Sequence, residues 1–296
     1  MGLIALKVDV DTLRGTLEGV PRLLRVFERR GIAVTFLFSL GPDHTGWALR
    51  RAFRRGFLSK VSRTSVLRHY GARTLLYGLL LPAPLIARRG AAPLRACRDA
   101  GHECGIHAWD HVLWHDNVRR RDAHWTRAQM ALARQCFEQV FGAAPSTHGA
   151  AGWQMNDDAL AQIDDWGMAY ASDCRGSRPF RPRLGARTLR HLQLPTTLPT
   201  LDELIGLDGV DETNVADAVL ARTRHDTDQV FTLHAELEGG LLATTFESIL
   251  DGWLRQGHRL GSLAMLHASL PATAAPVRDL GWGALPGRSG EVLTER

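Results

Sequence analysis

Near its start the chain carries a stretch that leaves few folds open: Leu3-Ile4-Ala5-Leu6, then Val8-Asp9-Val10-Asp11. An apolar run ending in two acids reads as a buried strand that delivers carboxylates at its C-terminal edge. Residues at i and i+2 share one face of a strand, so Asp9 and Asp11 point the same way, about 6–7 Å apart along the backbone. Two converging carboxylates are costly to bury unless a cation or hydrogen bonds compensate them. Glu18 to Arg30 reads as a helix, with Pro21 in its first turn and Gly31 as its stop. Ile32 to Leu40 is a second strand, apolar almost throughout, ended by Gly41-Pro42-Asp43. Strand, helix, strand in this order predicts parallel pairing through a right-handed crossover.

The alternation resumes after a break. Pro93 to Gly101 reads as a helix and Glu103 to His107 as a strand. Thr126, as N-cap, opens a helix to Phe141, and Pro145 to Ala150 is a weak strand. Asn156 caps a helix to Trp166, and Met168 to Ser172 and Leu192 to Leu194 are strands. Thr213 to Arg224 is helical, Gln229 to His234 a strand, Thr245 to Gln256 a helix and Arg259 to Met265 a last strand. Seven or eight strands alternating with helices predict an α/β barrel, distorted or incomplete, over residues 1–268. From Ser269 onward Pro, Gly and Ala dominate, which predicts a poorly ordered tail over 269–296.

The break, an insertion at about 44–92, is where the charge lies. From His44 to Arg98 there are twelve Lys or Arg and no acid, so the remainder carries 24 basic against 31 acidic residues. A smaller acid-free run, Arg175 to Arg190, holds six arginines. Such segregation points to an anionic partner. Within Trp47 to Tyr70, Leu49, Phe53, Phe57 and Val61 recur at four-residue steps beside Arg50, Arg51, Arg54 and Arg55, and the aliphatic stretch Leu75 to Leu81 follows. A basic, aromatic-bearing amphipathic helix of this kind lies at a membrane surface, with Trp47, Phe53 and Phe57 as apolar contacts. The plainer alternative is a helical hairpin with solvated charges. No recognised nucleic-acid motif accompanies the arginines. Four cysteines without a CxxC pair predict free thiols, the strand at the very start leaves no room for a signal peptide, and no apolar run is long enough to span a bilayer. These features predict a cytoplasmic protein peripheral to the membrane, with no obligate protein partner.

Chemistry gathers at strand ends. His107 and His111 in His107-Ala108-Trp109-Asp110-His111 are four apart, a spacing that suits two imidazoles on one metal. Alone, HxxxH is weak. Together with an Asp-x-Asp at another strand end it makes a possible two-histidine, one-carboxylate site with a spare acid beside it and positions open for water and substrate. His234 closes a buried strand and is followed by Glu236 and Glu238, and a histidine at the C-terminal end of a barrel strand reads as catalytic.

In this order, Asp-x-Asp, His-x-x-x-His and a late Leu-His resemble the polysaccharide deacetylases, the NodB-like carbohydrate esterases. The likeness narrows to one branch. It is carried by Asp9-Val10-Asp11-Thr12 with Arg14-Gly15-Thr16, Glu18-Gly19-Val20-Pro21, Ala150-Ala151-Gly152-Trp153, Ser172-Asp173-Cys174-Arg175-Gly176, Leu198-Pro199-Thr200 and His234-Ala235-Glu236-Leu237-Glu238-Gly239. That branch hydrolyses the formamide of 4-deoxy-4-formamido-L-arabinose on undecaprenyl phosphate, in lipid A modification.

The resemblance implies that Asp11, His107 and His111 hold a divalent metal cation (Zn, Co, Mn or Ni are not distinguished). It implies that Asp9 is the general base and His234 the general acid, with Arg14, Trp153, Asp173, Arg175, Glu236 and Glu238 binding or orienting substrate. It also implies an undecaprenyl-phosphate-linked sugar and an anionic inner-membrane surface as partners. One departure stands out. The wider family orients its catalytic aspartate with an arginine in the third motif, where this chain has only small residues and Trp153, and Arg175 is the candidate to supply that charge. The alternatives are an N-deacetylase for another amino sugar and a non-enzymatic module that binds a membrane or nucleic-acid surface.

Overall fold

The computed structural model describes residues 2–48, 70–271 and 275–296. Eleven strands occur among them: β1 (Leu3–Val10), β2 (Thr35–Ser39), β3 (Glu103–Ala108), β4 (Tyr170–Ala171), β5 (Arg181–Leu184), β6 (Arg187–Thr188), β7 (Leu192–Gln193), β8 (Gln229–His234), β9 (Arg259–Gly261), β10 (Val277–Ala284) and β11 (Glu291–Glu295). The central sheet is parallel, in the order β3-β2-β1-β8, with β9 on the first residues of β1.

Its curl continues through short contacts, the two-residue ladder of β4 on β7 and isolated bonds on either side of it. Gly149 N donates to Ile106 O (2.9 Å), Ser172 N to His148 O (2.8 Å), Leu194 N to Ala171 O (2.8 Å) and Leu198 N to Val230 O (3.1 Å). The weak strand expected at Pro145 to Ala150 is thus only a bridge between Ile106 and His148. The result is the distorted, incomplete barrel that the alternation predicts.

All of β1 is buried, and its pleat sorts the residues. Ile4, Leu6, Val8 and Val10 join the larger core, which includes Val20, Leu23 and Phe27 of the helix Val20–Arg30 and Phe246, Ile249 and Trp253 of the helix Ala243–Arg255. Leu3 and Ala5 join a smaller cluster with Tyr170, Leu194 and Val230 from other staves of the barrel. Odd-numbered residues of β1 therefore face inward, and the row Leu3, Ala5, Lys7, Asp9 climbs toward the open end. Each fully buried aliphatic side chain contributes about 1.5–3 kcal/mol, so sliding β1 by one residue is strongly opposed.

Local signals place several boundaries. Gly31 ends the first helix in the left-handed conformation (φ 62°), as expected of a stop glycine. Asn156 caps the helix Asp157–Asp165 by accepting from Ala159 N. The helix expected from Thr126 begins earlier, at Ala123, because Asp122 accepts from Trp125 N. The last barrel strand stops at Gly261 rather than Met265, because Ser262 caps a helix over Leu263–Ser269.

Two expectations are corrected. The C-terminal stretch is no loose tail, since β10 and β11 pair with each other and join β5 and β6 in a second sheet. Its Pro and Gly content hides a short hydrophobic pair, Val292 and Leu293, both buried, and Leu293 packs in a cluster with Phe180 and Leu189. The arginines of 175–190 are not an acid-free surface either. Arg183 pairs with Asp279 (2.5 Å), Arg187 and Arg190 with Asp164 (2.8 and 3.4 Å) and Arg175 with Glu203 (3.0 Å). In this run, folding brings acids from other segments to four of the six arginines.

The expected amphipathic helix, with Arg50, Arg51, Phe53, Arg54, Arg55 and Phe57, lies outside the described residues. At its edge Trp47 is half-buried, stacked on His44 at 3.7 Å and donating to Gly78 O at 2.8 Å. Of the aliphatic stretch, Leu75 and Tyr77 are buried whereas Leu80 is 80% exposed. No helix among the described residues is long and apolar enough to cross a membrane.

Candidate metal centre

Asp9 closes the inward row of β1 and Asp11 follows in the loop beyond it. His107 lies near the end of β3, and His111 opens the helix His111–Asn117. The two imidazoles converge across a strand-to-helix turn, not along one helical face. That turn is fixed by Asp110, which accepts from Leu113 N (3.0 Å) and pairs with His44. His107 Nε2 stands 3.1 Å from Asp11 Oδ1 and His111 Nε2 3.4 Å from Asp11 Oδ2. One donor atom from each residue lies within 4.8 Å of the other two.

These residues suit a cation. His107 Nδ1 faces Gly149 O at 2.7 Å, and a carbonyl can only accept. Nδ1 of the neutral ring therefore carries the proton, and Nε2 presents a lone pair to Asp11. Asp11 Oδ1 is buried without a hydrogen-bond partner. Acceptors facing one another need a positive charge between them. Ligands about 2.0–2.2 Å from one ion in tetrahedral array stand about 3.4 Å apart, close to the separations here. In the metal-free protein burial works against the Asp11 carboxylate, but the protonated imidazoles of His111 and His107 hold it well below the usual range.

Asp9 is buried beside this triad, with Oδ1 lacking a hydrogen-bond partner and lying 3.9 Å from His107 Nδ1. His234 ends β8 opposite Asp9 in the register. Burial opposes its charged form, but Asp202, Asp11, Glu238 and Asp9 outweigh this and push it up to about 9. Asp202, whose Oδ1 lies 3.9 Å from His234 Nδ1, was not legible as a site residue.

Glu236 and Glu238 hold the backbone that presents these groups. Glu236 Oε1 accepts from Asp11 N, Thr12 N and Thr12 Oγ1 (3.1, 2.8 and 2.7 Å), and Glu238 Oε2 accepts from His234 N (2.8 Å). Burial, with the nearby Asp11 charge for Glu236, raises Glu236 to about 8, and burial raises Glu238 to about 7 despite His234. The loops touch backbone to backbone. A Cβ on Gly19 would stand 2.0 Å from Ala235 O, and one on Gly239 2.7 Å from Gly19 Cα, so both positions require glycine. Tyr70 lies near the same acids; burial and then Asp11 and Glu236 push its phenol well above its ordinary value.

The opposite wall is built on Trp153. The indole is buried, at φ 53° on the turn Ala151–Trp153, and three cations face its ring: Arg288 (4.4 Å), Arg175 (4.9 Å) and Lys7 (5.6 Å). Arg175 is held by both oxygens of Glu203 and does not take the place expected for it beside Asp9. The ammonium that meets Asp9 is that of Lys7, 3.7 Å from Oδ2. Burial lowers the Lys7 pKa, against the charges of Asp9 and Asp173. Asp173 is wholly buried, bonded to His148 (2.6 Å) and Gln193 (2.9 Å), and so supports the wall without reaching the cleft. Arg14 is at the rim, paired with Glu18 at 3.0 Å.

Comparison with known proteins agrees with this geometry. Residues 3–171 match the family model "Polysaccharide deacetylase". A relative from Shewanella sediminis, named "Probable 4-deoxy-4-formamido-L-arabinose-phosphoundecaprenol deformylase ArnD", is 37% identical over 83% of this chain and 80% of its own. A solved structure from Mycobacterium smegmatis, named "putative polysaccharide deacetylase", superposes with a TM-score of 0.64 at 18% identity, over 93% of this chain and 92% of that one. A family 4 acetyl xylan esterase from Clostridium thermocellum, solved in complex with a cobalt ion, superposes with a TM-score of 0.52 at 13% identity, over 90% of each. By its sequence, its barrel and the residues at the strand ends, the chain belongs to the polysaccharide deacetylase family.

Proposed function

We propose that this protein hydrolyses the formamide of 4-deoxy-4-formamido-L-arabinose carried on undecaprenyl phosphate, releasing formate and the free amine. The observation that carries the reading is the convergence of Asp11, His107 and His111 beside Asp9 and His234. The name of the Shewanella relative supports the choice of substrate.

Asp11, His107 and His111 would hold a divalent cation, which when bound acidifies water and polarises the amide carbonyl. Asp9 stands beside the ligand set with one oxygen unpartnered and takes a proton from the attacking water. As the carbon–nitrogen bond breaks, His234, kept protonated by the acids around it, donates its proton to the leaving amine. Glu236 and Glu238 fix the backbone of Asp11 and His234, so both side chains are aimed before substrate arrives. Trp153, buried under Lys7, Arg175 and Arg288, anchors the far side.

A sugar on a polyprenyl phosphate stays at the bilayer surface. The arginines at 50, 51, 54 and 55 are the groups to meet anionic headgroups there, each cation contributing about 1 kcal/mol. The protein would then work peripherally on the inner face of the membrane. Incubation of the metal-loaded protein with the formamido-arabinosyl lipid should release formate, and release of acetate from an N-acetyl amino sugar in its place would overturn the substrate assignment. Reversing Arg50, Arg51, Arg54 and Arg55 to Glu should free the protein from anionic vesicles and slow turnover of the lipid while sparing a short-chain analogue. Equal loss on both substrates removes the docking role.

A further inference from the structure

We propose that Lys7 is the positioning residue for the catalytic base, its ammonium holding one oxygen of Asp9 so that the other stays turned toward the ligand set. The inference rests on the reading of Asp9 as base.

The geometry is particular. Lys7 and Asp9 stand at alternate positions on the inward face of β1 and Asp11 follows just past the strand end, so one short segment carries cation, base and ligand. Lys7 is 0% exposed in a strand otherwise apolar up to Asp9, a placement lysine almost never takes without a partner. Its Nζ donates to Ser172 O at 3.1 Å and lies 3.7 Å from Asp9 Oδ2, with the Trp153 ring 5.6 Å away. The carbonyl and the indole fix where the ammonium sits, and the ammonium fixes Asp9. Asp9 Oδ1 remains without a hydrogen-bond partner. Among the described residues no arginine or other lysine forms an ion pair with Asp9, and Arg175 is committed to Glu203. A carboxylate on a strand has free rotation about two bonds; held at one oxygen by a buried charge, it keeps a single orientation.

The test is a double-mutant cycle of wild type, Lys7→Met, Asp9→Asn and the double variant, each loaded with Zn²⁺ or Co²⁺. It is read on whichever amide the wild type hydrolyses, the formamido-arabinosyl lipid or its N-acetyl counterpart. Lys7→Met should lower kcat by about 10²–10³-fold, within the range of a general base, with KM within about twofold and metal content unchanged. The double variant should be no slower than Asp9→Asn alone, because Lys7 acts only through Asp9. Lys7→Arg should recover most of the rate. Where Lys7→Met does not fold, Lys7→Gln, which keeps a donor for Ser172 O, takes its place in the same cycle. Losses that multiply in the double variant, or an unchanged kcat in Lys7→Met, overturn the proposal. Acetate release in place of formate by the wild type overturns the substrate reading and leaves the Lys7 result standing.

Discussion

The cleft has two walls built on different principles. One carries Asp9, Asp11, His107, His111 and His234, delivered by strand ends and the turns just after them. The other gathers Trp153, Arg175, Glu203 and Arg288 from four distant segments, Arg288 from the connection between β10 and β11. In the first wall Asp9 Oδ1, Asp11 Oδ1 and His234 Nδ1 are buried without hydrogen-bond partners; in the second, Arg175 is met by both oxygens of Glu203, which also faces Arg288. Chemistry therefore belongs to the first wall and shape to the second. Perturbing the first should cost rate, and perturbing the second should cost stability.

The largest expected effect is on the ligand set. His111→Ala should lose metal by elemental analysis and, with it, activity by about 10³-fold or more, since the cation supplies several kcal/mol of charge stabilisation. Full occupancy in that variant removes the assignment. Asp9→Asn should keep its metal and lose about 10²–10⁴-fold in kcat. If metal is lost as well, base and ligand have been interchanged.

Across the cleft, Glu203→Gln leaves the Arg175 guanidinium buried without its carboxylate. A cost of about 3–5 kcal/mol in chemical denaturation is expected, with metal content unchanged. Loss of metal in this variant would mean that the two walls are not independent. Arg288→Ala removes one stacked cation and should cost about 0.5–2 kcal/mol, read as a lowered melting temperature.

The smallest effect is a drift with pH. In the metal-free protein Glu238, Glu236 and His234 all bind protons more tightly when folded, at about 7, 8 and 9 against ordinary values of 4.5, 4.5 and 6.5. Their contribution is complete below about pH 4.5 and is lost as pH rises through 9. The melting temperature should fall across that window, and less steeply with saturating divalent cation. A rise would contradict the crowding of acids described at this wall.

Legibility in the sequence divided along the same line. Strand ends show in a sequence because the apolar run and the functional residue are adjacent, so Asp9, Asp11, His107, His111 and His234 could be nominated from spacing and order. Lys7 lay in plain view within the first strand, and its signal was a charge two residues before Asp9 on the inward face. Arg288 and the second sheet were missed because Val292 and Leu293 are too short a run to stand out among Pro and Gly. The arginines of 175–190 misled because their acids, Asp164, Glu203 and Asp279, are supplied by other segments.

The place of β11 also sets an order of assembly. All three residues that would hold the cation lie within the first 111 positions, whereas the backbone of Arg175 is gripped by Leu293 O and Glu295 N. In a chain made from its N-terminus the ligands therefore emerge long before the strand that braces the opposite wall. A truncation that removes β11 touches no catalytic group, yet it leaves Arg175 without either of these backbone bonds.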